Sequence, residues 1–285
     1  MRIDAWLAGA SSRLREAGRD SPRLEARILL GLATGLDAPG VLVHGAENLA
    51  PAAEAKAEAL LARRLQGEPM AYIAGFREFY GRDFAVFPGV LIPRPETELV
   101  VETALESDLP DQTRFADLCA GSGCIGLTLA LERPGWQGVL VEKEEDALEA
   151  SRLNRGRLGA GNAEVLAGDV FALDLPARCF DLVTANPPYV AESERTLVMP
   201  EVLAFEPSRA LFSAQEGLAH VKAVARAASR ILKDGGTLVL EHGFRQAVGV
   251  AEILADLGFS KIIAKKDLAG LDRVTRGVYK CPRCC

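Results

Sequence analysis

The order of apolar segments in this chain of 285 residues predicts an α/β fold with a mostly parallel sheet of seven strands. From Arg114 onward, short runs rich in β-branched residues alternate with segments of helical periodicity, which is typical of a parallel sheet covered on both faces. The last segment, KIIAKKDLAGLDRVTRGVYK, predicts two strands joined by a Gly-bearing turn. The sheet is therefore expected to end in an antiparallel pair, and a helical segment of about seventy residues precedes it.

The N-terminal segment predicts a small helical bundle. Residues 4–17 carry apolar side chains at helical spacing. A second helix is expected to start with Ser21 as its N-cap and Pro22 at its first position. A third, rich in Ala, Leu, Glu and Arg, runs from Pro51 to a stop at Gly67. Nothing in these helices by itself indicates chemistry.

A change in amino-acid composition separates the bundle from the α/β part of the chain. The stretch FREFYGRDFAVFPGVLIP is aromatic and β-branched around glycines, which predicts a hairpin or a paired extended segment. RPETELVVETAL follows and predicts a helix with Pro95 at its start. We therefore expect a helical domain over residues 1–71, a hairpin linker over 72–92, a larger domain over 93–280 and a Cys-rich tail over 281–285.

In the larger domain, each predicted strand is defined by a short apolar run and each helix by apolar residues at a period near 3.6. The strands before the terminal pair are RFADLC, GVLVEK, AEVLAG, FDLVTA and GTLVLEH. The intervening helices are CIGLTLALER, EDALEASRLNRGR, GLAHVKAVARAASRILKD and QAVGVAEILADLGF. This alternation predicts a Rossmann-like, doubly covered sheet.

Composition and charge limit the possible function classes. The net charge is −6 and the sequence pI is near 5.3, which argues against direct binding of nucleic acid but leaves room for a local basic patch. We find no secretory h-region and no apolar run long enough to span a membrane. The six cysteines form no disulfide framework, which favours a reducing cytoplasm. The tail CPRCC holds three thiols, fewer than a structural zinc site needs, so we expect reduced exposed cysteines rather than a metal clip.

A glycine-rich turn follows the first predicted strand of the larger domain. ADLCAGSGCIG places Gly121, Gly123 and Gly126 between strand and helix, where glycines let a backbone approach a ligand closely. Glu142 ends the next strand, where a carboxylate is able to accept hydrogen bonds from ribose hydroxyls. The loop satisfies the dinucleotide fingerprint, and with Asp117 before it also suits S-adenosylmethionine. A tight turn without a ligand is the structural alternative.

The stretch FDLVTANPPYV ends a predicted buried strand in a rigid corner. Pro187 and Pro188 lack N–H groups and fix φ, so the corner presents carbonyls. The side-chain oxygen of Asn186 and the carbonyl of Pro187 are each able to accept one N–H of a planar NH2 group, and Tyr189 offers an aromatic face against it. Two such acceptors would stabilise the positive charge that develops on the nitrogen during methyl transfer. A rigid turn is the structural alternative here.

The histidines bear on the oxidoreductase alternative, because hydride transfer requires an acid or base near the nicotinamide. We interpret His44 and His220 as surface or helix residues. His242, at the end of the fifth strand, would either line the crevice or serve a packed structural role. No histidine is therefore assigned to catalysis.

The joint pattern of motifs resembles the release factor glutamine methyltransferases (HemK/PrmC family), a group of class I S-adenosylmethionine-dependent methyltransferases. The similarity covers nearly the whole chain, including the helical N-terminal part. The stretches that carry it are GEPMAYIAGFREFYG, LIPRPETE, DLCAGSGCIGLTLA, NPPYV, FEPSRALF, LEHG and DRVTRGVY.

The resemblance implies methylation of the side-chain amide nitrogen (N5) of the glutamine in the GGQ loop of peptide chain release factors. We expect the protein to be a monomer in the cytoplasm. It implies that the helices of residues 1–71 help to hold the release factor. The implied cofactor residues are Cys119, Ala120, Gly121, Ser122, Gly123, Glu142, Val170 (flanking adenine) and Asn186. The implied substrate residues are Asn186, Pro187, Pro188 and Tyr189, with Asn186, Pro187 and Tyr189 assigned to catalysis and no metal required.

The chain departs from the family pattern at four cofactor positions. Cys119 and Ala120 stand where Gly-Thr is usual, Glu142 stands where Asp is frequent, and Val170 stands where some relatives carry an aromatic residue. The alternatives are an adenine-N6 nucleic-acid methyltransferase, which shares the amino-group chemistry, a nicotinamide-dependent oxidoreductase, and a catalytically silent binding module. Uptake of S-adenosylmethionine rather than NAD would exclude the oxidoreductase.

Overall fold

The chain divides into two compact units in a computed structural model that describes residues 1–281. The first unit comprises residues 1–76 and the second begins at Arg77. The boundary lies inside the linker that was expected over residues 72–92. The predicted tail falls on 281–285, of which only Cys281 belongs to the described residues.

The first unit is a bundle of helices around its own apolar core. The helices are α1 (Ile3–Glu16), α2 (Pro22–Thr34), α3 (Ala38–Val43), α4 (Pro51–Leu65) and α5 (Met70–Ala74). Trp6, Leu14, Leu29 and Leu61 are fully or nearly fully buried in this core. These side chains recur at helical spacing within their segments, which is why the bundle was visible in the sequence.

Two short helices of this unit were not predicted. α3 is only six residues long and is capped by Asp37, whose carboxylate accepts from the N–H of Gly40 at 2.8 Å. α5 has five residues and ends at Gly75 in the left-handed conformation, with a φ of 81°. Such single-turn helices bury too few side chains to produce a periodic pattern.

The segment between bundle and sheet contains the predicted hairpin. Strands β1 (Phe76–Phe79) and β2 (Arg82–Ala85) pair across a turn at Tyr80 and Gly81, both of which have positive φ. The rings of Phe79 and Phe84 meet edge to face at 5.9 Å between centroids, which buries both side chains.

The predicted seven-stranded, mostly parallel sheet is confirmed within the described residues. Its strands are β3 (Arg114–Leu118), β4 (Gln137–Glu142), β5 (Ala163–Ala167), β6 (Phe180–Ala185), β7 (Leu232–Glu241), β8 (Phe259–Lys266) and β9 (Asp272–Tyr279). They lie in the order β5-β4-β3-β6-β7-β9-β8. Only β9 runs antiparallel to its neighbours β7 and β8, as expected for the terminal pair.

Helices cover both faces of the sheet and bury two apolar clusters. They are α6 (Glu98–Leu105), α7 (Cys124–Glu132), α8 (Glu145–Leu158), α9 (Pro200–Phe205), α10 (Ala219–Ile231) and α11 (Ala247–Asp256). One cluster packs α10 and α11 against the sheet, with Val224 and Leu254 fully buried. The other packs α6 and α7 against the opposite face, with Val100 and Leu127 fully buried. The predicted helix that includes α10 extends to Asp234, whereas the observed one ends at Ile231.

Strand order determines where a ligand is able to bind. From β3 the chain proceeds outward to β4 and β5 and then returns to β6, on the other side of β3. Connections after β3 and β6 therefore diverge and leave a crevice at the carboxyl ends of these strands, the position at which open α/β sheets bind ligands. Both the glycine loop and the NPPY corner start there.

Candidate active site

The glycine loop between β3 and α7 follows a left-handed path that the glycines permit. Gly121 and Gly123 have φ values of 58° and 81°. A Cβ on Gly123 would stand 2.6 Å from the Ser151 hydroxyl oxygen, so this glycine is required by packing. A Cβ on Gly121 would meet no atom within 4 Å, so the backbone at Gly121 faces open space that a ligand is able to approach.

Cys119 precedes these glycines and also has a positive φ, 59°. A non-glycine residue in this region is strained and is held only by well-determined surroundings. The next N–H, that of Ala120, donates to the carbonyl of Val141 at 3.1 Å and fixes the loop to the end of β4. Ser122 is buried, and its carbonyl accepts from the side chain of Asn154 at 2.9 Å.

The carboxylate of Glu142 ties the loop to the adjacent strand. Its Oε2 accepts from the N–H of Gly121 at 2.7 Å. Its Oε1 accepts from the N–H groups of Lys143 and Glu144 at 2.7 and 2.9 Å. A carboxylate offers about four acceptor positions, so one remains for a ligand hydroxyl. The longer Glu side chain suits this bridge, because it must reach back from β4 to Gly121.

Asp117 lies beneath the loop and supports it from inside. It is fully buried and accepts from the Gly126 N–H at 3.0 Å and from the Thr184 hydroxyl at 2.8 Å. Burial is the largest influence and raises the pKa of Asp117 to about 7, against the two hydrogen bonds, which lower it. Asp117 thus connects β3, α7 and β6 below the crevice.

A cavity of about 320 Å³ opens where these elements meet. Six of the predicted site residues line it: Cys119, Gly121, Glu142, Val170, Asn186 and Pro188. Five others are not among its lining residues: Ala120, Ser122 and Gly123 belong to the supporting part of the glycine loop, and Pro187 and Tyr189 belong to the NPPY corner next to Asn186 and Pro188. The loop and the NPPY corner nevertheless share one crevice.

Asn186 enters the cavity wall with a defined orientation. Its Nδ2 donates to the hydroxyl oxygen of Thr97 at 3.1 Å. Thr97 is buried at the end of the 3₁₀ turn Pro95–Thr97, which leads into α6. Because the nitrogen is engaged by Thr97, the side-chain oxygen of Asn186 is the end of the amide that is available to a ligand.

Tyr189 is anchored at both its hydroxyl and its backbone. The hydroxyl donates to Oε1 of Glu241 at 3.0 Å, and burial, followed by the charge of Glu241, raises the pKa of Tyr189 far above its ordinary value. The backbone carbonyl accepts from Nε2 of Gln246 at 2.9 Å. Gly217 packs so closely that a Cβ on it would stand 2.1 Å from the Tyr189 carbonyl oxygen. These contacts therefore hold the NPPY corner in place in addition to the rigidity that its two prolines provide.

Two further motifs of the sequence meet beside the cavity. Glu206 in FEPSRALF accepts from the N–H of Ile92 at 3.1 Å and pairs with Nη2 of Arg94 at 2.5 Å, both in LIPRPETE. Glu206 is buried, so this pair fixes the two segments to each other. Sequence reasoning missed the contact, because more than a hundred residues separate the partners.

The cavity also contains side chains that were not assigned to the site. Asp169 precedes Val170, accepts from the Phe171 N–H at 2.9 Å and pairs with Nζ of Lys143 at 3.0 Å. Phe171 lines the cavity with an exposed ring. The GDVF stretch at the carboxyl end of β5 was a possible sequence signal, because polar residues that follow a parallel strand point into the crevice.

The histidines differ in position. His220 is on α10, as predicted, but it is half-buried and lines the cavity, with Nδ1 at 2.7 Å from the Ser213 hydroxyl oxygen. Burial lowers the pKa of His220. His242 is fully buried, and its Nε2 lies 2.8 Å from the Thr275 hydroxyl oxygen, so it has the packed structural role that was one of its two predicted interpretations.

The two cysteines next to the crevice are poor nucleophiles. Burial raises the pKa of Cys119 well above its ordinary value and that of Cys124 to about 12. In the described part of the chain, no group of three or more His, Cys, Asp or Glu side chains is arranged to hold a metal ion. Across residues 1–281, every helix is too short or too polar to cross a membrane.

This sheet order, with a glycine loop after the first strand and an acidic residue at the end of the second, defines the class I methyltransferase fold. A solved methyltransferase structure from Pyrococcus furiosus shares the fold with a TM-score of 0.53, at 16% sequence identity over 77% of this chain and 98% of that one. Two family models match the chain: PrmC N-terminal domain over residues 5–75 and Methyltransferase small domain over residues 95–214.

Curated relatives match nearly the whole length. A release factor glutamine methyltransferase of Neisseria gonorrhoeae is 42% identical over 280 residues, covering 98% of each chain. One of Vibrio cholerae is 41% identical over 281 residues, covering 99% of this chain and 98% of the relative. The chain belongs to the family of release factor glutamine methyltransferases.

Proposed function

We propose that this protein transfers a methyl group from S-adenosylmethionine to the side-chain amide nitrogen (N5) of the glutamine in the GGQ loop of peptide chain release factors. The observation that carries the proposal is the orientation of Asn186. Its nitrogen is engaged by Thr97, and its oxygen remains to accept an N–H at the wall of the cavity that Glu142 also lines.

The cavity residues suit S-adenosylmethionine. The open space at Gly121 admits a ligand close to the backbone, and Glu142 retains an acceptor position for ribose hydroxyls. Val170 offers an apolar surface for adenine. The buried loop residues Ala120 and Ser122 hold the loop in shape. When bound, S-adenosylmethionine supplies an electrophilic methyl group on a sulfonium.

The NPPY corner would orient the nucleophile. An amide NH2 group is a weak nucleophile because its lone pair is delocalised, so it must be held in position. We assign one N–H to the side-chain oxygen of Asn186 and the other to the backbone carbonyl of Pro187. These two acceptors are fixed in advance and would stabilise the positive charge that develops on the nitrogen as the N–CH3 bond forms and the sulfonium S–CH3 bond breaks. The nitrogen would then lose one proton to give the neutral N-methyl amide, and S-adenosylhomocysteine would leave.

Tyr189 and Pro188 complete the substrate side of the site. The phenol of Tyr189 remains protonated because its pKa is raised, so it holds to Glu241 and its ring is set in place beside the corner. That ring offers a flat surface to a planar amide. Pro188 lines the cavity and adds apolar surface next to the carbonyl of Pro187.

The partner and location follow from the same proposal. The names of the relatives specify release factors as their substrates, and the N-terminal unit matches the family's own N-terminal domain. We assign the helical domain of residues 1–71 to substrate recognition, 93–280 to methyl transfer, and 72–92 to the linker between them. We propose a cytoplasmic monomer that acts on protein and not directly on nucleic acid, in keeping with the net charge of −6.

The test is to incubate the purified protein with S-adenosylmethionine and a release factor, digest the mixture and measure the mass of the GGQ peptide by mass spectrometry. The proposal predicts the gain of one methyl group, and a loss of orders of magnitude in kcat for Asn186→Ala with a much smaller change in cofactor affinity. An unmodified GGQ peptide, with methyl groups transferred instead to adenine in a DNA sample run in parallel, would replace the proposal by the nucleic-acid alternative.

A further inference from the structure

His220 is a residue of the cavity wall for which the sequence assigned no role. It stands at the start of α10, is half-buried and lines the cavity. α10 packs against the 3₁₀ turn Val170–Ala172, which follows β5. The ring of His220 meets that of Phe171 edge to face, at 4.9 Å between centroids and 75° between planes. The imidazole therefore lies at the end of the cavity that Val170 and Phe171 line.

The order of the strands indicates which part of S-adenosylmethionine reaches this end. In the proposed function, the reactive methyl group lies at Asn186, after β6, and the ribose at Glu142, which ends β4. β3 lies between those two strands, and β5 lies beyond β4. A ligand that extends from Asn186 past Glu142 therefore places its adenine at the end of β5, beside Val170 and Phe171. His220 then faces the base and not the reacting atoms.

The hydroxyl of Ser213 determines which nitrogen of His220 carries a proton. The Ser213 oxygen accepts from the backbone N–H of His220 at 3.1 Å and lies 2.7 Å from Nδ1. Ser213 is buried, and among residues 1–281 its hydroxyl has no acceptor other than this Nδ1. A proton on Nδ1 would leave the hydroxyl hydrogen unpaired, which is unfavourable in a buried place. The hydroxyl therefore donates to Nδ1, and a neutral ring carries its proton on Nε2.

The surroundings of His220 favour the neutral ring. Burial is the largest influence and lowers the pKa of His220, while the charge of Asp169 raises it and that of Lys143 lowers it. Within residues 1–281, Nε2 has no hydrogen-bond partner and is not enclosed by protein. The imidazole thus offers a single N–H donor at the adenine end of the cavity.

Adenine has the complementary groups on its edge. Its ring nitrogens N1, N3 and N7 accept hydrogen bonds, whereas its 6-amino group donates. An N–H donor therefore recognises one of the ring nitrogens. Val170 offers an apolar surface to the face of the base, and His220 offers a polar contact to its edge.

We propose that His220 is an adenine-binding residue of this protein, whose Nε2–H donates to a ring nitrogen of the adenine of S-adenosylmethionine. This inference rests on the proposed function, because it takes the cavity to bind S-adenosylmethionine with its methyl group at Asn186. His220 has no part in methyl transfer itself, and its effect is on cofactor affinity.

The first test changes the ligand and leaves the protein intact. Calorimetry compares S-adenosylhomocysteine with three analogues, in each of which one of the adenine nitrogens N1, N3 and N7 is replaced by C–H. We expect one analogue to bind the wild type roughly three- to tenfold more weakly, as for the loss of one neutral hydrogen bond. Equal affinity for S-adenosylhomocysteine and all three analogues would overturn the inference.

His220→Phe shows whether His220 is the donor. The phenyl ring preserves the contact with Phe171 and removes both nitrogens. The Kd for S-adenosylhomocysteine should rise roughly three- to tenfold, and the analogue that bound the wild type weakly should lose no further affinity. At saturating S-adenosylmethionine, kcat should change less than about twofold, since His220 faces the base. A penalty for the analogue that is equal in both proteins would mean that another group recognises this nitrogen, and would overturn the inference.

Two further variants control for packing. His220→Gln retains an N–H donor on a side chain of similar reach and should recover most of the lost affinity. His44→Phe makes the same replacement at the end of α3, where His44 pairs with Glu47, and should leave Kd unchanged. An equal rise in Kd for His220→Phe and His220→Gln would assign the effect to packing and refute the hydrogen bond.

NMR separates this inference from the proposed function. In protein with ¹⁵N-labelled histidine, His220 should have a protonated Nε2 and an unprotonated Nδ1 at neutral pH. S-adenosylhomocysteine should shift the Nε2 signal and slow the exchange of its proton, and the weakly binding analogue should do neither. A proton on Nδ1 in the complex would overturn the inference whatever the activity. A wild type that shows these shifts but leaves GGQ peptides unmodified would instead refute the proposed function.

Discussion

The carboxylate of Glu142 allows a quantitative prediction, because its three backbone partners are known. Glu142→Gln preserves the shape of the side chain. The single oxygen of Gln is able to keep the bonds to Lys143 and Glu144, which share Oε1. The new nitrogen then stands where Oε2 was, 2.7 Å from the Gly121 nitrogen, with N–H facing N–H. One charge-assisted hydrogen bond is lost at the glycine loop.

The same substitution replaces the Oε2 acceptor position that remains for a ribose hydroxyl, and the magnitude of the effect on binding follows from the loss of that contact to a charged group. A hydrogen bond to a charged group contributes about 1.5–3 kcal/mol. At about 1.4 kcal/mol per tenfold change, the Kd for S-adenosylmethionine should rise roughly ten- to a hundredfold. Isothermal calorimetry measures this directly. Glu145 is an exposed residue at the start of α8, and Glu145→Gln is a matched control that should leave Kd unchanged.

A second ligand distinguishes the effect of Glu142→Gln on the glycine loop from its effect on the ribose contact. S-adenosylhomocysteine and its 2′-deoxy analogue differ by one hydroxyl. If Glu142 accepts from the ribose, the deoxy analogue should bind the wild type several-fold more weakly, and this difference should shrink in Glu142→Gln. An equal difference in both proteins, or an unchanged Kd in Glu142→Gln, would refute the assignment of the ribose contact.

Three other predictions concern stability and the NPPY corner. Because the pKa of Asp117 is raised from 3.8 to about 7, the folded state holds a proton that the unfolded state releases, so the wild type should lose stability as pH rises through that range, by roughly 4 kcal/mol. Asp117→Asn should flatten this dependence in urea titrations, and a slope equal to the wild type's would contradict the pKa shift. Gly217→Ala should lower kcat as well as stability, because the added Cβ would clash with the Tyr189 carbonyl. Gly159→Ala is the control: Gly159 has a similar φ but open space around it, so this change should lower stability alone. Equal kcat values in the two variants would contradict a rigid NPPY corner. Arg209→Ala should change the free energy of unfolding by less than about 1 kcal/mol, because its ion pairs with Glu144 and Asp146 are exposed, and a larger loss in urea titrations would show a buried contribution.

The sheet was predictable because its signals are local. Buried strands such as FDLVTA are short apolar runs, the helices between them show a clear period, and right-handed parallel connections leave few arrangements. The positions of Gly121 and Glu142 at the cavity were predictable for a similar reason, since Glu142 ends β4 and Gly121 lies in the loop directly after β3. The short helices α3 and α5 were missed because single turns produce no period.

The support of the site was not predictable, because it depends on long-range pairs. Thr97 and Asn186 are 89 residues apart, and Tyr189 and Glu241 are 52 apart. Threonine and glutamate at the ends of elements have ordinary roles in caps and solvated faces, so the sequence offers no sign that these pairs meet. Asp169 and Phe171 were overlooked beside Val170, although they follow the same strand.

The position of the transferred methyl group tests the proposed activity most directly. The protein is reacted with a release factor and S-adenosylmethionine that carries a deuterated methyl group. Tandem mass spectrometry of the GGQ peptide then identifies the residue and the functional group that carry the label. We expect label on the glutamine side-chain amide with the wild type and none with Asn186→Ala. Label on a backbone nitrogen, on another residue, or equally in Asn186→Ala would contradict the proposed activity.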